Sequence, residues 1–164
     1  MNLKTPITIF LDISRIFISL LAMTFVLSGY AVDAYNNETL STGGYHTCVI
    51  DDLGLACWGR NHEGQTNVPD LSNPKQVSSG ELHTCAIDDS GVVCWGNDSY
   101  GQATVPLLSN PSQIATGSSN TCAIDDSGVV CRGNDSYGQA TVPLLSNPTQ
   151  IATGPYNACA IKAR

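Results

Sequence analysis

The residues of this chain best suited to chemistry are its seven cysteines, which follow a strict spacing. One set recurs every 37 residues, and a second set recurs with the same period nine residues later. The first set is Cys48, Cys85, Cys122 and Cys159, and the second is Cys57, Cys94 and Cys131. Cysteine thiols either oxidise in pairs or bind metal ions, and structural zinc sites usually contain a tight C-x-x-C pair. The spacing lacks such a pair and therefore favours disulfides.

The three histidines do not change this interpretation. His46 and His83 each precede a Thr-Cys pair, and His62 lies downstream of Cys57. The corresponding positions of the later repeats carry Asn120 and Asn157, which are poor substitutes for a metal-binding imidazole. We therefore expect no metal site.

Pairs of aspartates raise the alternatives of calcium binding and acid–base catalysis. The pairs are Asp51-Asp52, Asp88-Asp89 and Asp125-Asp126. Adjacent residues of an extended chain point to opposite sides, whereas paired catalytic carboxylates must face one pocket. Calcium needs six to eight oxygen ligands, more than one such pair offers. The sequence therefore predicts turn residues, no catalytic site and no cofactor, so we expect a protein that is not an enzyme.

The 37-residue period indicates tandem repeats with one supersecondary unit each. In "HTCAIDDSGVVCWG", residues 83–96, two apolar runs flank a turn-forming "DDSG". A hairpin around Asp89-Ser90 places Cys85 opposite Cys94, at a separation that a disulfide can bridge. We therefore predict one disulfide per hairpin, near residues 46–59, 83–96 and 120–133. The predicted pairs are Cys48–Cys57, Cys85–Cys94 and Cys122–Cys131.

Two more short segments in each repeat, of the type "QIATG" and "GQATVP", are predicted to be strands. Four short antiparallel strands make one blade of a β-propeller, and apolar residues on both faces of the hairpin fit packing between blades. A β-solenoid is the alternative architecture. The sequence thus predicts an all-β fold of tandem 37-residue blades.

The first 34 residues differ from the repeats. Lys4 and Arg15 precede an uncharged apolar segment at 16–32, and small residues follow it. This layout predicts a hydrophobic signal helix with cleavage near Ala31 or Ala34, or otherwise an uncleaved membrane anchor. A short linker, 35–40, would join it to the repeats. Export to a periplasmic or extracellular compartment would permit disulfides.

The charge of the chain excludes one class of partner. The formal net charge is −7, with only seven lysines and arginines in 164 residues. An acidic chain without a basic stripe repels phosphate backbones, so we expect no nucleic-acid binding.

The segments "GGYHTCVIDDLGLACWGRNHEGQTNVP" and "HTCAIDDSGVVCWGNDSYGQATVP" resemble repeats of the regulator of chromosome condensation family. The short period and the "GQ-x-x-VP" ending are most similar to the bacterial form, as in β-lactamase-inhibitory protein II. The resemblance covers residues 41–164. It implies a seven-bladed propeller that binds other proteins through surface loops. Known activities of the family include guanine-nucleotide exchange, chromatin binding and β-lactamase inhibition, and the leader and acidic charge oppose the first two.

Seven blades of this period would need about 259 residues, so this chain is expected to form a partial propeller of about three and a half blades. The incomplete fourth hairpin begins at 157 and leaves Cys159 without a partner. The sequence leaves open a truncated fragment without independent function, and self-association through exposed blade edges or Cys159.

The loops that follow each hairpin are the expected recognition surface, since exposed aromatic side chains on repeated loops suit binding. The candidate binding residues are His62, Asn97, Tyr100, Arg132 and Tyr137. We predict an exported interaction module for a protein or a surface glycan. Inhibition of a secreted hydrolase such as a β-lactamase is the alternative.

Arg132 stands where the sister repeat has Trp95. The hairpin register places Trp95 opposite Thr84, on a face expected to pack against a neighbouring blade. We expect Arg132 to reflect relaxed packing, on the reasoning that the last complete hairpin has no following blade to contact.

Overall fold

The computed structural model describes residues 39–162; the predicted leader and most of the predicted linker lie outside them. The described residues form strands and no helix long and apolar enough to cross a bilayer. Each complete repeat is a three-stranded antiparallel sheet, and the fourth is two-stranded. The strands are β1 Leu40–Thr42, β2 His46–Asp51, β3 Gly54–Gly59, β4 Gln76–Ser79, β5 His83–Asp88, β6 Gly91–Gly96, β7 Gln113–Thr116, β8 Asn120–Asp125, β9 Gly128–Gly133, β10 Pro148–Thr153 and β11 Ala158–Lys162.

The hairpin register is the one that the sequence predicts. In the second repeat Cys85 lies opposite Cys94, Ile87 opposite Val92 and Thr84 opposite Trp95. Opposed cysteines form disulfides in all three complete repeats, with Cα atoms 4.0 to 4.1 Å apart. Cys159 on β11 is an exposed free thiol.

The expectation of a fourth strand per blade is wrong within the described residues. The segment after each "GQ" is not part of a ladder, because its backbone donors are used locally. The Asp98 carboxylate accepts hydrogen bonds from the amides of Ala103 and Thr104, and Pro106 has no amide hydrogen to donate. The segment therefore runs as a linker between sheets.

The core lies between repeats rather than within one. Three apolar clusters each join two successive sheets: Cys48 and Ile50 with Val77, Cys85 and Ile87 with Ile114 and Ala123, and Cys122 and Ile124 with Ile151. Both faces of β5 are consequently buried along its whole length, whereas β2 buries alternate residues only. Inter-sheet burial, worth about 25 cal/mol per Å² of apolar surface, stacks the repeats as propeller blades.

Polar side chains link the same sheets at a constant offset of 38 residues. Gln76 exchanges two hydrogen bonds with the backbone of Ile114, and Ser78 bonds to both the hydroxyl and the amide of Thr116. Gln113 repeats the first contact by accepting a hydrogen bond from the Ile151 amide. The innermost strands of neighbouring blades are thus joined by side chains that satisfy backbone groups.

A buried relay crosses the first two interfaces beside these strands. Thr121 Oγ1 donates to the carbonyl oxygen of Gln102, 2.7 Å away, and lies 2.9 Å from His83 Nε2. Because the hydroxyl has one proton and gives it to the carbonyl, His83 Nε2 must be the donor to Thr121. His46, Thr84 and Gln65 form the same relay one repeat earlier.

Burial lowers the pKa of His83 to about 4, with a further lowering by His46 and an opposing effect of Asp98. Its Nδ1 is buried without a partner, so protonation would place a cation where nothing stabilises it. Burial likewise lowers the pKa of His46. Both imidazoles are neutral at pH 7.

Trp95 reinforces the relay from the outer strand. Its Nε1 donates to the same Gln65 carbonyl oxygen at 2.9 Å. Trp95 therefore contacts the preceding repeat, and the reason given above for Arg132 is wrong. Residue 132 lies next to a preceding repeat that is present, so a partner for a tryptophan exists there. Arg132 is nevertheless exposed, and nothing in the structure explains the arginine.

Removal of one disulfide should destabilise the fold. Cys85→Ala/Cys94→Ala should lower the free energy of unfolding by about 2–3 kcal/mol, because the bond closes a loop of about ten residues in the unfolded chain. Urea denaturation measures this, with Cys159→Ala as a control that closes no loop and should change nothing. Alkylation of the exported wild type should label one thiol; labelling of Cys85 or Cys94 would contradict the pairing.

The buried histidine should make stability depend on pH. An unfolded histidine takes up a proton below pH 6.5, whereas folded His83 does so only near pH 4. The unfolded chain therefore binds more protons in this window, and stability should fall by up to about 3 kcal/mol as pH drops from 6.5 to 4. Denaturation at a series of pH values measures the slope.

His83→Asn should reduce that slope, because asparagine has no titratable proton; the corresponding position of the third repeat carries Asn120. His62→Asn, on an exposed loop, is the matched control and should keep the slope. An unchanged slope in His83→Asn would refute the assignment. The aspartates whose pKa is lowered begin to lose their contribution at about pH 5, so the part of the slope above that pH reports the histidines.

Restoring the missing tryptophan should stabilise the third repeat. Arg132→Trp can donate to the Gln102 carbonyl and cover part of the relay, which should raise the free energy of unfolding by about 1–2 kcal/mol. The reciprocal Trp95→Arg should lower it by a similar amount. Urea midpoints compare the pair; equal midpoints for Arg132→Trp and wild type would show that no inter-repeat contact forms.

Candidate functional site

The antiparallel topology brings two kinds of segment to one end of every blade. The turns between the first and second strands lie at 43–45, 80–82, 117–119 and 154–157. The loops after the third strands lie at 60–64, 97–101 and 134–138. Their backbones are joined directly, since Asn97 N donates to Leu82 O and Asn134 N donates to Ser119 O. We call this end the loop face, and the opposite end, which carries the hairpin turns, the tip face.

A buried glutamine shapes each loop of the loop face. Gln102 Oε1 accepts from Tyr100 N at 2.8 Å, and Gln102 Nε2 donates to Asn97 Oδ1 at 2.7 Å. Gln139 makes the same two contacts with Tyr137 and Asn134. Positive φ angles at Gly101 and Gly138 let the chain turn sharply between the tyrosine and the glutamine. The loops are therefore held in one conformation from beneath.

The aspartates of these loops are structural. Asp135 accepts hydrogen bonds from Thr141 Oγ1 and from the amides of Ala140 and Thr141, which lower the pKa of its carboxyl group. Asp98 is held in the same way by Thr104. Both carboxylates stay ionised and hydrogen-bonded at neutral pH, so neither carries a proton that it could donate.

The tip face uses its aspartates for turns. Asp88 Oδ1 accepts from Ser90 N, Ser90 Oγ and Gly91 N, and its Oδ2 accepts from Ser72 N. Desolvation raises the pKa of Asp88, but these hydrogen bonds outweigh it and leave the pKa below its ordinary value. No cluster of three metal-binding side chains occurs within residues 39–162.

Tyrosines are concentrated on the loop face. Tyr100 and Tyr137 lie on the loops, and Tyr45 and Tyr156 lie on the turns; all four are between 54% and 75% exposed. The Arg60 guanidinium stands over the Tyr45 ring, 5.1 Å from its centroid. The rings of Tyr137 and Tyr156 meet edge to face at 5.4 Å. Exposed aromatics on rigid loops are typical of recognition surfaces.

The structure brings most of the sequence-predicted candidates to this face. His62, Asn97, Tyr100 and Tyr137 lie on it, and Asn97 Nδ2 donates to Glu63 of the preceding loop. Arg132 lies on β9 immediately before its loop. The binding roles of all five stay predictions. Sequence reasoning missed Tyr45 and Tyr156, although each follows the repeated turn glycine by two residues and could have been found from that register.

The model of the regulator of chromosome condensation (RCC1) repeat matches residues 39–65, 75–102 and 112–139, just over half of the chain. No curated protein sequence matches the chain significantly.

Solved structures with this fold come from plants, humans and yeast. The WD40 ectodomain of the receptor kinase ACR4 from Arabidopsis thaliana is 25% identical, with a TM-score of 0.62 over 74% of this chain and 45% of that one. Human WBSCR16 is 20% identical, with a TM-score of 0.65 over 82% and 48%. Yeast RCC1 (Prp20), solved bound to Kap60, is 15% identical, with a TM-score of 0.63 over 81% and 44%.

The chain therefore spans less than half the length of each of these structures. Their likeness shows a propeller-type fold of unclosed repeats. The particular similarity to the bacterial inhibitor type stays a prediction. With three matched repeats covering just over half of its length, the chain belongs to the regulator of chromosome condensation (RCC1) repeat family.

Proposed function

We propose that this chain is an exported, non-enzymatic interaction module that binds a partner protein through its loop face. The observation that carries the proposal is the set of four exposed tyrosines on this face, of which Tyr100 and Tyr137 lie on loops that buried glutamines fix. Tyrosine offers a large contact area at a low entropic cost, and a preorganised loop loses little freedom on binding.

The composition of the two faces favours the loop face. Both faces carry carboxylates engaged in local hydrogen bonds, but the loop face adds four exposed tyrosines and Arg60. Aromatic and arginine side chains are enriched in protein interfaces, and carboxylates are depleted from their cores. The tip face is therefore the poorer candidate.

The relatives support a protein partner. Yeast RCC1 was solved bound to Kap60, and the structure of Prp20p was described with its binding properties to Gsp1p and histones. None of those partners is carried over here. Three intrachain disulfides are consistent with an extracellular or periplasmic location. The predicted leader supports export.

Affinity capture from the extracellular fraction of the source cells tests the proposal. Tyr45→Ala/Tyr100→Ala should weaken retention of a partner at least about thirtyfold, the loss expected for a central aromatic contact. Leu107→Ala/Leu144→Ala is the matched control; these leucines are 97% exposed on linkers that lead towards the tip face.

The retained partner is identified by mass spectrometry and its Kd is measured with purified components. Unchanged Kd in the tyrosine variant, or an equal loss in the leucine variant, would refute the loop face as the binding surface.

A further inference from the structure

The corner between the third and fourth repeats differs from the rest of the loop face. A cavity of about 190 Å³ lies there, lined by Tyr137, Tyr156, Pro155 and neutral hydroxyl and amide side chains. The polar lining residues are Ser118, Ser119, Ser136, Asn134 and Gln139. No charged side chain lines the cavity.

We propose that this corner binds one neutral pyranose unit, such as the terminal residue of a glycan. This goes beyond the proposed function, because it assigns a second class of ligand to one place on the loop face. A sugar ring has an apolar face of C–H groups and an edge of hydroxyls, and the corner offers a counterpart to each.

The two tyrosines supply the apolar part. Their planes are inclined at 77°, so the rings form a corner, and with exposures of 75% and 68% each ring keeps surface open to solvent. A pyranose can lay its C–H face on one ring and contact the edge of the other. Pro155 extends this apolar wall.

The polar part is preorganised. Asn134 Oδ1 accepts from Ser136 N and from Gln139 Nε2, which fixes the orientation of the Asn134 amide. Asn97, in the identical loop of the second repeat, donates its Nδ2 to Glu63. Asn134 lines the cavity, and within the described residues its Nδ2 has no hydrogen-bond partner such as Glu63, so it can donate to a sugar hydroxyl.

The equivalent corner between the second and third repeats has neither a second aromatic ring nor an asparagine amide without a carboxylate partner. Ser118 and Ser119 replace Pro155 and Tyr156, and Ser118 Oγ donates to Glu81. Tyr100 therefore has no second ring beside it, and the Ser118 hydroxyl and the Asn97 amide are engaged by carboxylates. The two loops have the same sequence, so the difference between the corners lies in what faces them.

Size and charge decide between ligand classes. Pockets for drug-sized ligands measure about 300–1,000 Å³, so this cavity admits one ring rather than an extended peptide. An uncharged lining with fixed amides favours a neutral ligand rich in hydroxyls over an acidic sugar, an anion or a basic peptide.

The test uses the purified full chain and a panel of methyl glycosides of glucose, galactose, mannose and N-acetylglucosamine, followed by titration calorimetry or ligand-observed NMR. At least one glycoside should bind with a Kd on the order of 1 mM, the affinity expected for so few non-hydrogen atoms. Binding of the same sugar only at the end of an immobilised oligosaccharide would identify a glycan rather than a free sugar as the ligand.

Matched variants locate the site. Tyr156→Ser, which reproduces the equivalent corner between the second and third repeats, and Tyr137→Ala should each weaken binding at least about tenfold. Tyr100→Ala, in the identical loop, should leave Kd unchanged. Thermal unfolding should be unaffected in all three, since the rings are exposed.

The proposal is overturned if no glycoside binds at about 20 mM, if Tyr100→Ala loses as much affinity as Tyr137→Ala, or if sialic acid or a proline-rich peptide binds this corner more tightly than every neutral sugar. Because no partner protein is present in these titrations, their failure leaves the proposed protein interaction standing, and the capture experiment can fail while sugar binding persists.

Discussion

The hydrogen bond from a threonine hydroxyl to the glutamine carbonyl of the preceding repeat determines how two successive blades meet. Thr84 and Thr121 each make it at 2.7 to 2.8 Å, in a region closed to water. A buried carbonyl without a donor would cost about 1–3 kcal/mol, so the contact fixes the rotation of one sheet against the next. The same glutamine holds its own loop through its side chain. Blade packing and loop conformation therefore depend on one residue.

The fourth repeat shows what happens when the contact is lost. Ala158 occupies the threonine position, and both amide atoms of Asn120, the residue corresponding to His83, are buried without a partner. A pocket of about 160 Å³ lies at this junction, lined in part by Ile151, Ala158 and Cys159. Besides the hydrogen bond between Gln113 and the Ile151 amide, the junction between the third and fourth repeats is held by the apolar cluster around Ile151, whose contacts have no directional preference.

The sequence predicted the parts of the fold that are local. The hairpin register follows from the turn at Asp89-Ser90 and the alternation of side chains, and both are properties of fourteen consecutive residues. The "GQATVP" segment was misjudged, because its amides bond to Asp98 rather than to a strand, a competition that composition alone does not reveal. The packing direction of Trp95 was also misjudged, since the 37-residue period does not show which neighbour a face meets.

The loop face also shows that the local sequence of a segment does not determine which residues surround it. Residues 96–102 and 133–139 have identical sequences and the same pattern of internal hydrogen bonds. Their surroundings differ because each loop lies against the turn of the following repeat, and the turns have diverged to Ser118-Ser119 in one case and Pro155-Tyr156 in the other. A repeated loop thus acts as a constant scaffold, while the turn beside it supplies the chemistry. Binding specificity in such an array is expected to vary with the turn residues, even where the loops are copies of one another.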